Sequence, residues 1–168
     1  MHVSGPITYQ SCTGDGGAFT AGPLNTSGGA YPGSYSTSGT WTTQPGTLDY
    51  ASYSEAFVLR SATTTIEGTV RLGPSGGTAF CTGASGWMTG PHDALYEATI
   101  RTPDGTYRDA GTVELRVGLD HRASFLSSQA AAVPAACPGD EGRHKGHVNG
   151  RGHHRGRAHG QHVCRGGG

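Results

Sequence analysis

Ala94-Leu95-Tyr96-Glu97-Ala98-Thr99-Ile100-Arg101, followed by Thr102-Pro103-Asp104-Gly105-Thr106 and a second alternating run that ends at Leu119, decides the fold class. In the first run Ala94, Tyr96, Ala98 and Ile100 alternate with Glu97, Thr99 and Arg101, the two-residue period of a strand with one buried face. Val113, Leu115, Val117 and Leu119 repeat the pattern against Thr112, Glu114 and Arg116. Between the runs Pro103 presets φ for the first corner of a turn and Gly105 can take positive φ without a Cβ clash. The two runs therefore form an antiparallel hairpin, and the chain is expected to be all-β.

Working outward, Thr63 to Leu72 alternates Ile66, Gly68, Val70 and Leu72 with Thr65, Glu67, Thr69 and Arg71, and Gly73-Pro74-Ser75-Gly76-Gly77 ends it as a turn. Tyr50 to Ser61 is a further strand, and Phe57-Val58-Leu59, apolar on both faces, suits a central place in a sheet. Gly33 to Thr43 sets Tyr35, Thr37, Gly39 and Trp41 against serines and Thr40, a strand with an aromatic face. Pro6 to Gln10 reads as a first edge strand, the region to about Pro32 as loop, and Asn25-Thr26-Ser27 as a surface turn. Thr78 to Met88 is a weaker strand broken by glycines. About seven strands without a periodic helical face predict an antiparallel β-sandwich or a small barrel.

Composition agrees. Gly supplies 30 of the 168 residues and charged residues 14%, against usual shares of roughly 7% and about 25%. No apolar run approaches the roughly 18 residues that span a bilayer as a helix. Zero net charge hides a split, with six Arg against ten acids up to Pro138 and five Arg and Lys145 against Asp140 and Glu141 beyond it. The expected organisation is a β domain over 3–126, a linker over 127–138 and a disordered His/Arg/Gly-rich tail over 139–168, since the last segment lacks Leu, Ile, Phe, Tyr and Trp and cannot offset its ordering entropy by burial.

Cys12, Cys81, Cys137 and Cys164 make an even set, which favours an oxidising, extracellular or cell-surface location. Three pairings are possible. Cys12 with Cys81 and Cys137 with Cys164 is preferred, because each pair then lies within one compositional region. Met1-His2-Val3-Ser4-Gly5-Pro6 has neither the basic start nor the apolar core of a signal peptide.

Six of nine histidines, His144, His147, His153, His154, His159 and His162, lie in the tail with Cys164 behind them. Imidazole and thiolate are ligands for zinc, nickel and copper, and a flexible chain can wrap several around one ion. The same cationic segment suits contact with an anionic surface or glycan, while the absence of interleaved aromatics argues against specific nucleic-acid binding. Exposed strand edges would allow self-association.

Enzymatic signals are weak. Gly83-Ala84-Ser85-Gly86-Trp87 lacks the last glycine of a nucleophile elbow, and the neighbours in His92-Asp93 and Asp120-His121 point to opposite faces if on strands. Asp15, Asp104 and Asp109 have no calcium-loop spacing and are read as turn residues. Tyr35, Trp41, Tyr50, Tyr53 and Trp87 would floor a carbohydrate groove only if several faced outward together; core packing is the expected use of at least Trp41.

With Tyr31-Pro32-Gly33-Ser34-Tyr35, Thr63-Thr64-Thr65-Ile66-Glu67-Gly68-Thr69-Val70 and Tyr96-Glu97-Ala98-Thr99-Ile100 in this order, the body over about Pro6 to Leu119 resembles secreted β-sandwich proteins of GC-rich bacteria. The resemblance implies an exported β domain without an assigned activity. The expected function is that of a non-enzymatic extracellular structural or adhesive module whose tail contacts metal or anionic surfaces; the alternative is a metal-handling protein in which the tail is the working part.

Overall fold

The computed structural model describes residues 1–28, 31–82, 85–117, 122–129 and 133–134. Eleven strands follow in order: β1 His2–Thr13, β2 Gly16–Ser27, β3 Ser34–Thr43, β4 Tyr50–Arg60, β5 Thr65–Arg71, β6 Thr78–Thr82, β7 Ser85–Thr89, β8 Ala94–Thr102, β9 Gly105–Val117, β10 Arg122–Gln129 and β11 Val133–Pro134. All pairings are antiparallel within one sheet. The all-β expectation holds, with more strands than the seven expected.

The opening hairpin is β8–β9, in register from Ala94↔Val113 to Thr102↔Gly105. Ala94, Tyr96, Ala98, Ile100, Val113, Leu115 and Val117 are all buried, the phase that the two-residue period predicts. Leu119 lies outside the described residues.

From β1 to β5 each strand pairs with its successor, then β5 pairs with β8, β8 with β9 and β9 with β10. β10 also pairs with β1, from His2↔Leu126 to Pro6↔Arg122. The ladder thus returns to its first strand, and the eight strands β1, β2, β3, β4, β5, β8, β9 and β10 form a closed cycle of pairings. β1 has partners on both sides over residues 2–6, whereas from Ile7 to Thr13 its only strand partner among the described residues is β2, so the expected edge character is confined to that half of the strand. Where strands are paired on both sides, closure removes the unpaired N–H and C=O rows through which edges recruit other chains, so self-association through edges is restricted to stretches such as Ile7–Thr13, which among the described residues pairs with β2 alone.

Two expectations fail between Gly14 and Pro32. The segment is largely strand β2, and Asn25-Thr26-Ser27 is part of it, with Asn25 opposite Ser34 and Thr26 opposite Val3. Its glycines and proline are absorbed as an irregularity rather than as a loop: the register with β3 shifts between Ala21 and Leu24, across Gly22-Pro23, and Gly22 has φ +115°. The Thr78–Met88 region is likewise a hairpin of two strands, with Phe80 opposite Trp87. At the far end β10 continues to Gln129, and Val133–Pro134 pairs with Arg108 and Tyr107 of β9. The tail from 139 lies outside the described residues.

The inner face is filled by side chains, among them Val3, Phe19, Leu24, Trp41, Leu59, Met88, Ile100 and Leu115, each at most 5% exposed. Each such side chain contributes about 1.5–3 kcal/mol on burial. Large residues meet small ones: a Cβ at Gly39 would stand 2.5 Å from the Phe19 ring, and one at Gly68 2.6 Å from the Phe57 ring. Glycines at these points make room for neighbouring aromatics, the large–small alternation by which a closed sheet fills itself.

The hairpin β6–β7 lies across one end of this sheet. β7 pairs with the end of β9 through Met88↔Val117 and Thr89↔Arg116, while Thr78 bridges Asp49 and the Ala79 N–H donates to Leu48 O at 2.9 Å. Cys81 is bonded to Cys12 near the end of β1. The hairpin is thus tied to three separate points around that end, and the preferred Cys12–Cys81 pairing is present. Cys137 and Cys164 lie outside the described residues.

Candidate functional site

Alternation along β4 turns Tyr53, Glu55, Phe57 and Leu59 to the inner face, so an acid occupies a position meant for a hydrophobe. Glu55 is 2% exposed. Tyr35 Oη donates to its Oε1 at 2.7 Å, Thr37 Oγ1 approaches the same oxygen at 2.6 Å, and Tyr53 Oη donates to Oε2 at 2.6 Å. β3 supplies Tyr35 and Thr37 because its register sets them beside Leu59 and Phe57 of β4. Burial raises the Glu55 pKa, and the hydrogen bonds from Thr37, Tyr53 and Tyr35 oppose that rise. Burial and the nearby acid push the Tyr35 and Tyr53 hydroxyls well above their ordinary range, so they remain donors.

Thr37 fixes how a proton is shared. Its Oγ1 also lies 2.8 Å from the Ala56 carbonyl, and a hydroxyl has one proton to give. With Glu55 ionised, Thr37 donates to the carboxylate and leaves Ala56 O. With Glu55 neutral, the acid donates to Thr37 Oγ1, and Thr37 donates to Ala56 O, so both acceptors are served. The burial-driven rise in pKa favours this second arrangement.

A second acid, Asp109 of β9, is also turned inward and is 8% exposed. Tyr96 Oη of β8 donates to its Oδ2 at 3.0 Å, while Oδ1 has no hydrogen-bond partner among the described residues. Asp109 is therefore not the turn residue expected from the sequence. Alternation had the information, since Asp109 stands in phase with Val113, Leu115 and Val117.

The other candidates separate. His92 Nδ1 is 3.2 Å from Glu114 Oε1, which Arg116 also holds through Nε at 2.9 Å and Nη2 at 2.7 Å. The Arg116 hydrogen bond leads in lowering the Glu114 pKa. Asp93 instead accepts from Ser75 Oγ at 2.9 Å, so His92 and Asp93 do not act together; Asp120 and His121 lie outside the described residues. Ser85 opposes Thr82 in a hairpin, without the strand-to-helix setting of a nucleophile elbow.

Tyr35, Trp41, Tyr50 and Tyr53 are each at most 4% exposed, so these aromatics pack the interior and form no outward strip. Trp87 differs: it is only partly buried and stacks on Phe80, with ring centroids 6.3 Å apart and planes at 23°.

The tail ligands His144, His147, His153, His154, His159, His162 and Cys164, proposed for zinc, nickel or copper, all lie outside the described residues. Among the described residues no group of three or more His, Cys, Asp or Glu side chains is placed to hold a metal ion, and no helix is long and apolar enough to cross a membrane. Comparison with protein-family models, curated proteins and solved structures finds no match.

Proposed function

We propose that the chain is a non-enzymatic extracellular structural or adhesive module: a small, closed β-barrel that carries a cationic, His-rich tail into contact with metal ions or anionic surfaces. The observation that carries this reading is the Cys12–Cys81 bond, which joins β1 to the hairpin across the sheet end over a sequence separation of 69 residues. Bonds of this kind persist in oxidising compartments. The closed cycle of pairings supports the barrel form over the sandwich, and an interior packed with side chains gives a stiff support for an appended segment.

The tail reading comes from five Arg, Lys145 and six His beyond Pro138. Its contact with anionic polymers strengthens as the histidines protonate near pH 6 and weakens with salt. Retention of the full chain on heparin, compared with a chain ending at Pro138, tests it. Retention that rises from pH 8 to pH 6 and disappears on truncation is expected; equal retention of both chains would overturn it.

The same His and Cys164 residues support metal handling as the second reading. Zinc, nickel and copper titrations decide between the two. A defined stoichiometry with a dissociation constant of about 1 μM or tighter, near 8 kcal/mol, would put metal handling first.

A further inference from the structure

Alternation on the β6–β7 hairpin sorts its residues into two faces. Ala79, Cys81 and Met88 are buried against the sheet end, whereas Phe80, Thr82 and Thr89 are exposed and Thr78 and Trp87 half-buried. Register sets Phe80 directly opposite Trp87 and Thr78 opposite Thr89. The outer face is therefore an aromatic pair with a threonine pair two residues to one side and Thr82 two residues to the other, each step about 6.8 Å along a strand.

An outward Phe needs explanation here. Among the described residues the exposed large hydrophobics are Leu48, 42% exposed, and Phe80, 39% exposed. The Leu48 backbone lies beside the hairpin, its carbonyl accepting from the Ala79 N–H. The hairpin strands Thr78-Ala79-Phe80-Cys81-Thr82 and Ser85-Gly86-Trp87-Met88-Thr89 contain no charged residue. Their backbone is held by the Cys12–Cys81 bond and by pairing with β9, so the platform is organised before any ligand arrives.

We propose that this outer face binds a neutral sugar ring of a polysaccharide, with Phe80 and Trp87 as the stacking floor and Thr78, Thr82 and Thr89 as the polar rim. A pyranose presents apolar C–H faces and a girdle of hydroxyls, which matches aromatic rings bracketed by hydroxyls. The hairpin strands carry no charge of their own, and the charged residues in register with the rim, Asp49 beside Thr78 and Arg116 beside Thr89, are of opposite sign, which fits a ligand without net charge. A globular protein partner fits poorly, since a stable interface buries about 800 Å² per side and the apolar part of this face is the Phe80–Trp87 pair. A hydrocarbon surface would leave the threonine hydroxyls without partners. The site is separate from the tail and goes beyond the function proposed for it.

Fluorescence of the full-length, oxidised protein tests the proposal directly. Of the two tryptophans, Trp41 is 2% exposed, so the solvent-sensitive signal belongs to Trp87. The probes are cello-, chito- and laminari-oligosaccharides, with phosphatidylcholine vesicles in parallel. A saturable change in Trp87 emission with at least one sugar, insensitive to about 1 M NaCl, is expected. Phe80→Ala should weaken that affinity about tenfold, while Trp87→Phe, followed by affinity electrophoresis, should stay within about threefold because a ring is kept. Both variants are checked for the intact disulfide and for the parent's far-ultraviolet dichroism. Silence with every sugar, a response to the vesicles instead, or undiminished sugar binding by correctly folded Phe80→Ala would each overturn the proposal.

Discussion

Glu55 and Asp109 are both acids turned into the same interior, and they are held in opposite ways. Glu55 has hydroxyls at both oxygens, from Tyr35, Thr37 and Tyr53. Asp109 has Tyr96 at one oxygen and, among the described residues, nothing at the other. Near-equal exposure, 2% and 8%, hides this difference. Burial alone does not set the worth of a polar group; the number of partners left behind on its removal does.

The largest effect separates the two acids most sharply. Glu55→Ala strips the acceptor from Tyr35 and Tyr53 at once and opens a cavity, which should cost about 4 kcal/mol. Asp109→Ala removes one acceptor of the Tyr96 hydroxyl together with an unpaired oxygen, so about 2 kcal/mol is expected. Urea denaturation of both variants checks the order, and equal losses would break the comparison.

A second test uses pH. Because burial raises the folded-state pKa of Glu55, the folded protein holds this proton more tightly than the unfolded chain. Its stabilising term is fully present below the ordinary glutamate value of about 4.3 and is lost as pH rises through the raised folded-state value. Glu114, lowered mainly by its Arg116 hydrogen bond, works in the opposite sense, so the difference between parent and Glu55→Gln isolates the buried acid. The parent should lose stability relative to the variant as pH climbs above the carboxylate range. Parallel profiles would show that Glu55 does not hold its proton.

The smallest effect is expected at the other acid. Asp109→Asn keeps an acceptor for Tyr96 and merely exchanges one unpaired polar atom for another, so the midpoint should move by no more than about 0.5 kcal/mol. A larger loss would mean that the free oxygen has a partner after all.

Local pattern made some of this visible in advance. The β8–β9 hairpin was legible because alternation and the Pro103-Asp104-Gly105 turn agree, and each alone would have suggested it. β2 was hidden because Gly16, Gly17, Gly22 and Pro23 look like breakers, although here Gly17 makes room for the Trp41 ring and Gly22-Pro23 falls where the register slips. Glu55 is hidden in the sequence for a related reason: an acid among Tyr53, Phe57 and Leu59 looks like the exposed phase, and its three hydroxyl partners include two from another strand. The β10–β1 pairing and the hairpin across the sheet end join residues far apart in the chain, and no local period encodes such partners.

The meeting of β1 with β10 also sets a schedule. Residues 2–6 find their second partner only when residues 122–126 have arrived, so a chain emerging from its N-terminus spends most of its synthesis as an open sheet with two adhesive margins. Loop closure over this distance is slow compared with the local hairpins. The last ring strand to be made completes the solubility of the first, and a chain cut short before Arg122 would be sticky however well its earlier hairpins had formed.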